Sequence, residues 1–266
     1  MLSLRSNRLE GKVIFITGAS SGVGQAAVRR FAEEGASVIA GARRLSKIEE
    51  YSEILINDGY KIHPVRCDVQ DEQSVCDAVK SGISYFKKID GAFNSAAVEG
   101  SVTLLHETPT ERFDDVHRTN LRGAFLSMKY EISAMLNTGG GAIVNSSSAG
   151  GLVGAAYNSD YSSSKHGLTG LTKCAALEYA RKGIRINAIA PGPIDTEMLN
   201  RSTVGEKARA HLANCMPMNY IAHPDDMARV AAFLLSEEAR WITGVILPCE
   251  GGFSAGPSMG VLAESK

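Results

Sequence analysis

Residues 12–24 read K-V-I-F-I-T-G-A-S-S-G-V-G. Lys12 to Thr17 is a short apolar run with β-branched residues, met at once by glycine, and it reads as a strand buried on both faces, as parallel sheets require. The turn that follows, Thr17-Gly18-Ala19-Ser20-Ser21-Gly22-Val23-Gly24, opens into a helix over QAAVRRFAEEG that stops at Gly35. Strand, small-residue turn and helix are the parts of a dinucleotide-binding unit. Small side chains let the backbone approach a pyrophosphate, and helix N-terminal amides meet its charge. The glycines at 18, 22 and 24 depart from the common GxGxxG spacing. A glycine-rich turn can also do no more than connect a strand to a helix.

The pattern repeats outward from this unit. Ser37-Val38-Ile39-Ala40 is a second strand, KIHPVRCDV a third ending at Asp68-Val69, and GAFN a fourth ending at Asn94-Ser95-Ala96-Ala97. GGGAIVNSSS gives a fifth that brings Ser148 to the sheet edge, Ile184 to Ile189 a sixth stopped by Pro191-Gly192-Pro193, and Gly244 to Pro248 a seventh. Helical patterns alternate with them, which predicts a single α/β domain: a Rossmann-type doubly wound parallel sheet of about seven strands with helices on both faces. The core spans about residues 8–252 of the chain's 1–266. The longest helical pattern runs from Thr110 to Asn137, with Asn120 and Gly123, two poor helix formers, in its middle; a polar Asn in a buried helix marks a bend or a water site. Residues 195–222 are irregular and rich in Met, Asn and Ala, which predicts a substrate lid. The tail 254–266 has no clear pattern.

Composition narrows the function classes. The 266 residues are 44% hydrophobic and carry 28 Lys+Arg against 29 Asp+Glu, a net charge of −1 with no basic stripe, which argues against a nucleic-acid partner. No apolar run reaches the ~18–20 residues of a membrane span, and MLSLRSNRLEGK is too poor in apolar residues for a secretory signal. Five scattered cysteines form no CxxC or Cys/His cluster, so no metal is expected and a reducing cytoplasm fits best.

Two features suggest chemistry. Tyr161 and Lys165 share a face at the start of a helix, and an ammonium near a phenol lowers its pKa and makes it a general acid/base; the same spacing is also common on solvated helix faces. After the second strand, Ala42 stands where NAD binders place a carboxylate on the ribose hydroxyls, and Arg43 and Arg44 follow. An arginine fork there can hold a 2′-phosphate, which favours NADP, with NAD the alternative if the arginines merely face solvent. Asp68 and Asn94 either line the cofactor crevice or end their strands.

Taken together, TGASSGVG (17–24), NSAA (94–97), Asn120, Ser148, YSSSK (161–165) and NAIAPGPIDT (187–196) resemble the short-chain dehydrogenase/reductase family, over about residues 8–252. The resemblance implies hydride transfer between a nicotinamide and a secondary alcohol or ketone, with a catalytic tetrad of Asn120, Ser148, Tyr161 and Lys165. In that scheme Tyr161 moves the proton, Lys165 lowers its pKa and binds the nicotinamide ribose, Ser148 orients the substrate oxygen, and Asn120 holds a relay water. It further implies that Thr17, Gly18, Ser20, Ser21, Gly22, Val23 and Gly24 cradle the pyrophosphate. Asp68 and Val69 would flank adenine, Asn94, Ser95 and Ala96 lie along the adenosine ribose, and Pro191, Gly192, Ile194 and Thr196 fix the nicotinamide. Substrate contacts are expected from Ser148, Tyr157, Tyr161 and Met198, in a moderately apolar pocket. Asn158 and Asp160 add polarity there or cap the helix. A homotetramer or homodimer packed through the two long helices is also implied. The chain departs from the family's usual Asn-Asn-Ala-Gly at Asn94-Ser95-Ala96-Ala97 and from its usual Asp at Cys249-Glu250. The competing readings are an NAD-dependent diol or sugar dehydrogenase and a nucleotide-binding sensor without catalysis.

Overall fold

The computed structural model describes residues 7–256, so positions 257–266 of the expected tail lie outside the described residues. Seven parallel strands form one sheet: β1 (Val13–Thr17), β2 (Ser37–Ala42), β3 (Ile62–Arg66), β4 (Gly91–Asn94), β5 (Gly141–Ser146), β6 (Ile184–Pro191) and β7 (Ile246–Cys249). Their order is β3-β2-β1-β4-β5-β6-β7. The chain therefore reverses its direction of travel between β1 and β4, and in such sheets ligands sit beyond the strand C-termini at that switch. Thr17 is in register with Asn94, and Asn94 with Asn145, which sets the candidate residues along one edge.

Alternation along β1 divides the interior in two. Ile14 and Ile16 point to the face covered by α1 (Gly22–Glu33), α2 (Leu45–Asn57) and α9 (Pro224–Leu235). Val13 and Phe15 point to the face covered by α3 (Glu72–Phe86), α5 (Gly123–Leu136) and α6 (Ser159–Tyr179). Phe31 of α1 meets Phe93 of β4 edge-on at 6.0 Å, both fully buried, and each such side chain contributes ~1.5–3 kcal/mol by leaving water.

Three elements add to the sequence reading or differ from it. The alternation implied a helix between β2 and β3 without giving its bounds; α2 supplies it, its buried Ile48 and Leu55 forming a narrow apolar face among charged residues. The helix expected from Thr110 to Asn137 is broken into α4 (Thr110–His117), one wide π-turn (Arg118–Arg122) and α5. The break falls on Asn120, where the polar residue in the pattern marked a bend. The segment 195–222 is not irregular, for it contains α7 (Glu197–Ser202) and α8 (Glu206–Asn214). The base of that segment is tied off by the Asp195 amide donating to the Ala222 carbonyl at 2.9 Å and the Ala222 amide to the Pro193 carbonyl at 3.1 Å.

Candidate active site

The glycine turn is built for close approach. Gly18 has φ +73°, and a Cβ there would come within 2.7 Å of the Ala96 backbone. On Gly24 a Cβ would collide with the Gly18 carbonyl oxygen. The first turn of α1 carries no acidic residue, and the Ser21 N-cap makes no side-chain hydrogen bond to the helix amides. The N-terminal amides are thus free for an anion, with the helix dipole behind them. Arg43 and Arg44 are exposed at the end of β2, and Arg44 Nη2 donates to Ser20 Oγ at 3.3 Å. Among the described residues neither arginine has a carboxylate partner within ion-pair distance. A nucleotide pyrophosphate fits this set.

The second cluster lies at the ends of β4, β5 and β6. Ser148 caps a single 3-10 turn, its Oγ accepting from the Gly150 amide at 3.1 Å. Tyr161, in the first turn of α6, is only partly buried, whereas Lys165 one turn later is 2% exposed. Lys165 Nζ donates to the Ser146 carbonyl at 2.8 Å and lies 5.5 Å from the Tyr161 ring centroid. Burial pulls its ammonium down to about 8. Burial also pushes the Tyr161 phenol above its ordinary range, and a hydrogen bond with Ser148 works against that rise. In the polypeptide alone desolvation outweighs the lowering expected for the Tyr161 phenol, because its charged form has lost water.

Asn120 occupies the π-turn. Its Oδ1 accepts the Val98 amide at 2.8 Å, while its Nδ2 donates to the Val98 carbonyl at 3.0 Å and to Ser164 Oγ at 3.3 Å.

Other expected cofactor contacts fall around the crevice. Asp68 Oδ1 accepts from the Gln70 amide at 3.1 Å, and Val69 is packed under Gly123. Thr196 caps α7, its Oγ1 accepting from the Leu199 amide at 3.3 Å, and its methyl faces Gly22 across the crevice. Pro191 ends β6, with Gly192 tight against Glu250. Ile194 bridges to Ala222. Ser95 and Ala96 follow β4, and the Ala96 amide donates to Thr17 Oγ1 at 3.4 Å.

The Asn94 side chain turns into the interior, where Nδ2 donates to Glu131 Oε2 at 3.0 Å and to Asn145 Oδ1 at 3.1 Å. That leaves only its backbone to face a ribose. The sequence reading passed over Glu131, a fully buried carboxyl whose Oε1 has no partner. An acid in the middle of an apolar helix face, FLSMKYEISAML, was the signal that could have found it.

For the substrate side, Tyr157 stands 57% exposed with φ +63°, a backbone conformation rare for a bulky residue, and Met198 is half-buried on α7. Met216 and Met218 line a separate cavity of about 440 Å³ with Gly192 and Glu250; no tetrad residue lines it. No metal-binding cluster occurs among the described residues, and none of their helices is long and apolar enough to cross a membrane.

A family model described as enoyl-(acyl carrier protein) reductase matches residues 18–254, from the glycine turn to beyond β7. The chain is a short-chain dehydrogenase/reductase. This oxidoreductase is 36% identical to the cyclohexanol dehydrogenase of Acinetobacter sp. (strain SE19), over 96% of this chain and 100% of that protein. It is 37% identical to the 2,5-dichloro-2,5-cyclohexadiene-1,4-diol dehydrogenase of Sphingobium indicum (strain UT26), over 93% and 98% of the two chains. The crystal structure of levodione reductase superposes with a TM-score of 0.89 at 35% identity, covering 94% of this short-chain dehydrogenase/reductase and all of that chain. An NAD(P) nucleotide is the cofactor class of the family.

Proposed function

We propose that this enzyme interconverts a secondary alcohol on a six-membered carbon ring and its ketone, preferring NADP, with Tyr161 as the general acid/base. The observation that carries the reading is the convergence of Tyr161, Lys165 and Ser148 beyond the ends of β5 and β6, on the same sheet edge as the glycine turn. The ring alcohol is suggested by the names of the cyclohexanol and cyclohexadiene-diol dehydrogenases. The NADP preference rests on Arg44 reaching Ser20, with Ala42 where an acid would repel a phosphate.

The bound nicotinamide supplies hydride exchange; the chain supplies proton control and orientation. During ketone reduction the Tyr161 phenol gives its proton to the oxygen on which charge develops. Ser148 Oγ holds that oxygen by a hydrogen bond that strengthens as charge develops. The Lys165 ammonium, fixed by the Ser146 carbonyl, stabilises the phenolate left behind. Asn120 clamps Val98 and so fixes the wall between β4 and α6. Thr17, Gly18, Ser20 to Gly24, Asp68, Val69, the Asn94 to Ala96 backbone and Pro191 to Thr196 line the nucleotide crevice in this reading. Tyr157 and Met198 frame the substrate beneath a lid made of residues 195–222.

A second reading, an NAD-dependent diol dehydrogenase, is favoured by the diol dehydrogenase among the relatives and by the exposure of Arg43 and Arg44. We also place the protein in the cytoplasm, on its five free cysteines, and as a homotetramer or homodimer, on the exposed Phe125 and Leu177 of α5 and α6. The test is turnover of cyclohexanone with NADPH and with NADH, and of cyclohexanol and a cyclohexene diol with NADP⁺ and with NAD⁺. Faster NADPH-linked ketone reduction supports the first reading. Faster NAD⁺-linked diol oxidation replaces it by the second, and stoichiometric nucleotide binding without any turnover overturns both.

A further inference from the structure

Residues 98–103 join β4 to the region before α4, and this short strap is bound along its length to different parts of the site. Val98 is held at both its amide and its carbonyl by Asn120. Glu99 takes a two-pronged ion pair from Arg201 of α7, at 2.8 and 2.9 Å, while its carbonyl accepts from Arg112 of α4. Ser101 donates from its amide at 2.9 Å and its hydroxyl at 2.8 Å to the same oxygen, Asp160 Oδ2. The Thr103 amide donates to the Tyr157 carbonyl at 3.1 Å. Between them Gly100 lies against the start of α6, where a Cβ would come within 2.6 Å of both Asp160 Oδ1 and Tyr161 Cβ.

Asp160 is the centre of this arrangement. It is 1% exposed, directly precedes Tyr161, and its Oδ1 accepts the Tyr161 amide at 2.7 Å. A carboxylate gives up strong hydration on burial and persists only where donors replace the water. Here the Ser101 amide, the Ser101 hydroxyl and the Tyr161 amide replace it, and the N-terminal end of α6 favours its charge. None of these donors is a cation. Asn158, the N-cap of α6, makes no side-chain bond to the helix amides, and Asp160 in the first turn ties the Tyr161 amide to the strap. What the site does fix is the distance between the strap and the backbone of Tyr161.

We propose that Asp160 is a positioning residue for Tyr161, and that the strap 98–103 transmits the position of α7 to it through the Glu99–Arg201 pair. The inference rests on the reading of Tyr161 as the proton donor. A phenol sits at the end of a long lever from its Cα, so a small backbone rotation displaces its oxygen substantially, and a misplacement of about 1 Å costs on the order of 100-fold in rate. Closing α7 over a substrate would pull on Glu99 and, through Ser101, on the turn that carries Tyr161.

The test compares wild type with Asp160→Ala, Asp160→Asn, Ser101→Ala and Glu99→Ala, using single-turnover reduction of cyclohexanone by bound NADPH, NADPH affinity, and amide hydrogen exchange. Asp160→Ala should slow the single turnover by about 30-fold while NADPH affinity stays within about twofold. Asp160→Asn, which keeps an acceptor for Ser101, should recover part of that loss. A folded Asp160→Ala protein with the wild-type single-turnover rate overturns the proposal. Should Asp160→Ala fail to fold, Ser101→Ala decides it: removal of one hydrogen bond should slow the step about fivefold, and an unchanged rate overturns it. Wild type that binds NADPH but reduces no ketone would refute the functional reading and leave the strap to hydrogen exchange, which needs no substrate. In Glu99→Ala the Ser101, Thr103 and Tyr161 amides, none bonded to Glu99, should exchange faster. A change confined to residues 195–202 overturns the coupling.

Discussion

Lys165 carries its ammonium 5.5 Å from the centre of the Tyr161 ring and anchors it on the Ser146 carbonyl at 2.8 Å. The pair is buried unequally, the lysine wholly and the tyrosine in part.

With its pKa pulled down to about 8, Lys165 is charged below that pH and loses its proton as the pH rises through it. Ketone reduction should therefore fall by up to about tenfold per pH unit above 8, as the phenolate loses its stabilising charge. The pH profile of kcat from 6 to 10 checks this, and a profile flat to 9.5 contradicts it.

Tyr161→Phe removes the transferable proton and leaves the ring, so nucleotide affinity should be unchanged while turnover falls by about 10²–10⁴-fold. Fluorescence titration of the nicotinamide and a steady-state assay on one preparation separate the two. Residual activity above a tenth of wild type would remove Tyr161 from the proton-transfer step.

Arg44→Ala should weaken NADPH by about tenfold or more and NADH hardly at all, since a charge-assisted contact to phosphate contributes about 1.5–3 kcal/mol. Parallel titrations read this directly. Equal loss for both nucleotides would assign Arg44 to holding Ser20 rather than a phosphate.

Glu131 should make the fold less stable as pH rises. Burial pushes its carboxyl up to about 8, against an ordinary value of 4.5. At or below the ordinary value both folded and unfolded chains hold the proton; between 4.5 and 8 only the unfolded chain releases it, and above 8 the loss of stability is complete. Glu131→Gln abolishes this titration, so its stability relative to wild type should be about 3–4 kcal/mol greater at pH 8 than at pH 5. Urea denaturation at the two pH values measures the difference; an equal offset at both would mean that Glu131 does not titrate in this range.

Much of the architecture was legible because local chemistry and global fold agree. The run of residues 13–17, the glycines behind it and the helix start at Gly22 each need the same parallel sheet. Tyr161, Lys165 and Ser148 were singled out by motifs that resemble the family, and the fold brings the three to one sheet edge. What escaped depends on partners far along the chain. That Asn94 faces inward follows from Glu131 and Asn145, 37 and 51 residues away. The rise of the Tyr161 pKa follows from burial, which no spacing reveals. Helix α2 buries too narrow an apolar face to stand out, and α7 and α8, with no fully buried residue of their own, leave no periodic trace.

The strand order also bears on how a ribosome delivers this protein. An interior strand, β1, is made first, yet one of its neighbours is β4 at Gly91–Asn94. While residues 18–90 are emerging, β1 can pair with β2 on one side and offers an unpaired ladder on the other, the kind of edge on which partly made chains stick together. Synthesis that stops before residue 91 therefore yields a fragment prone to self-association, and nucleotide cannot rescue it, because the far wall of its crevice has not yet been translated.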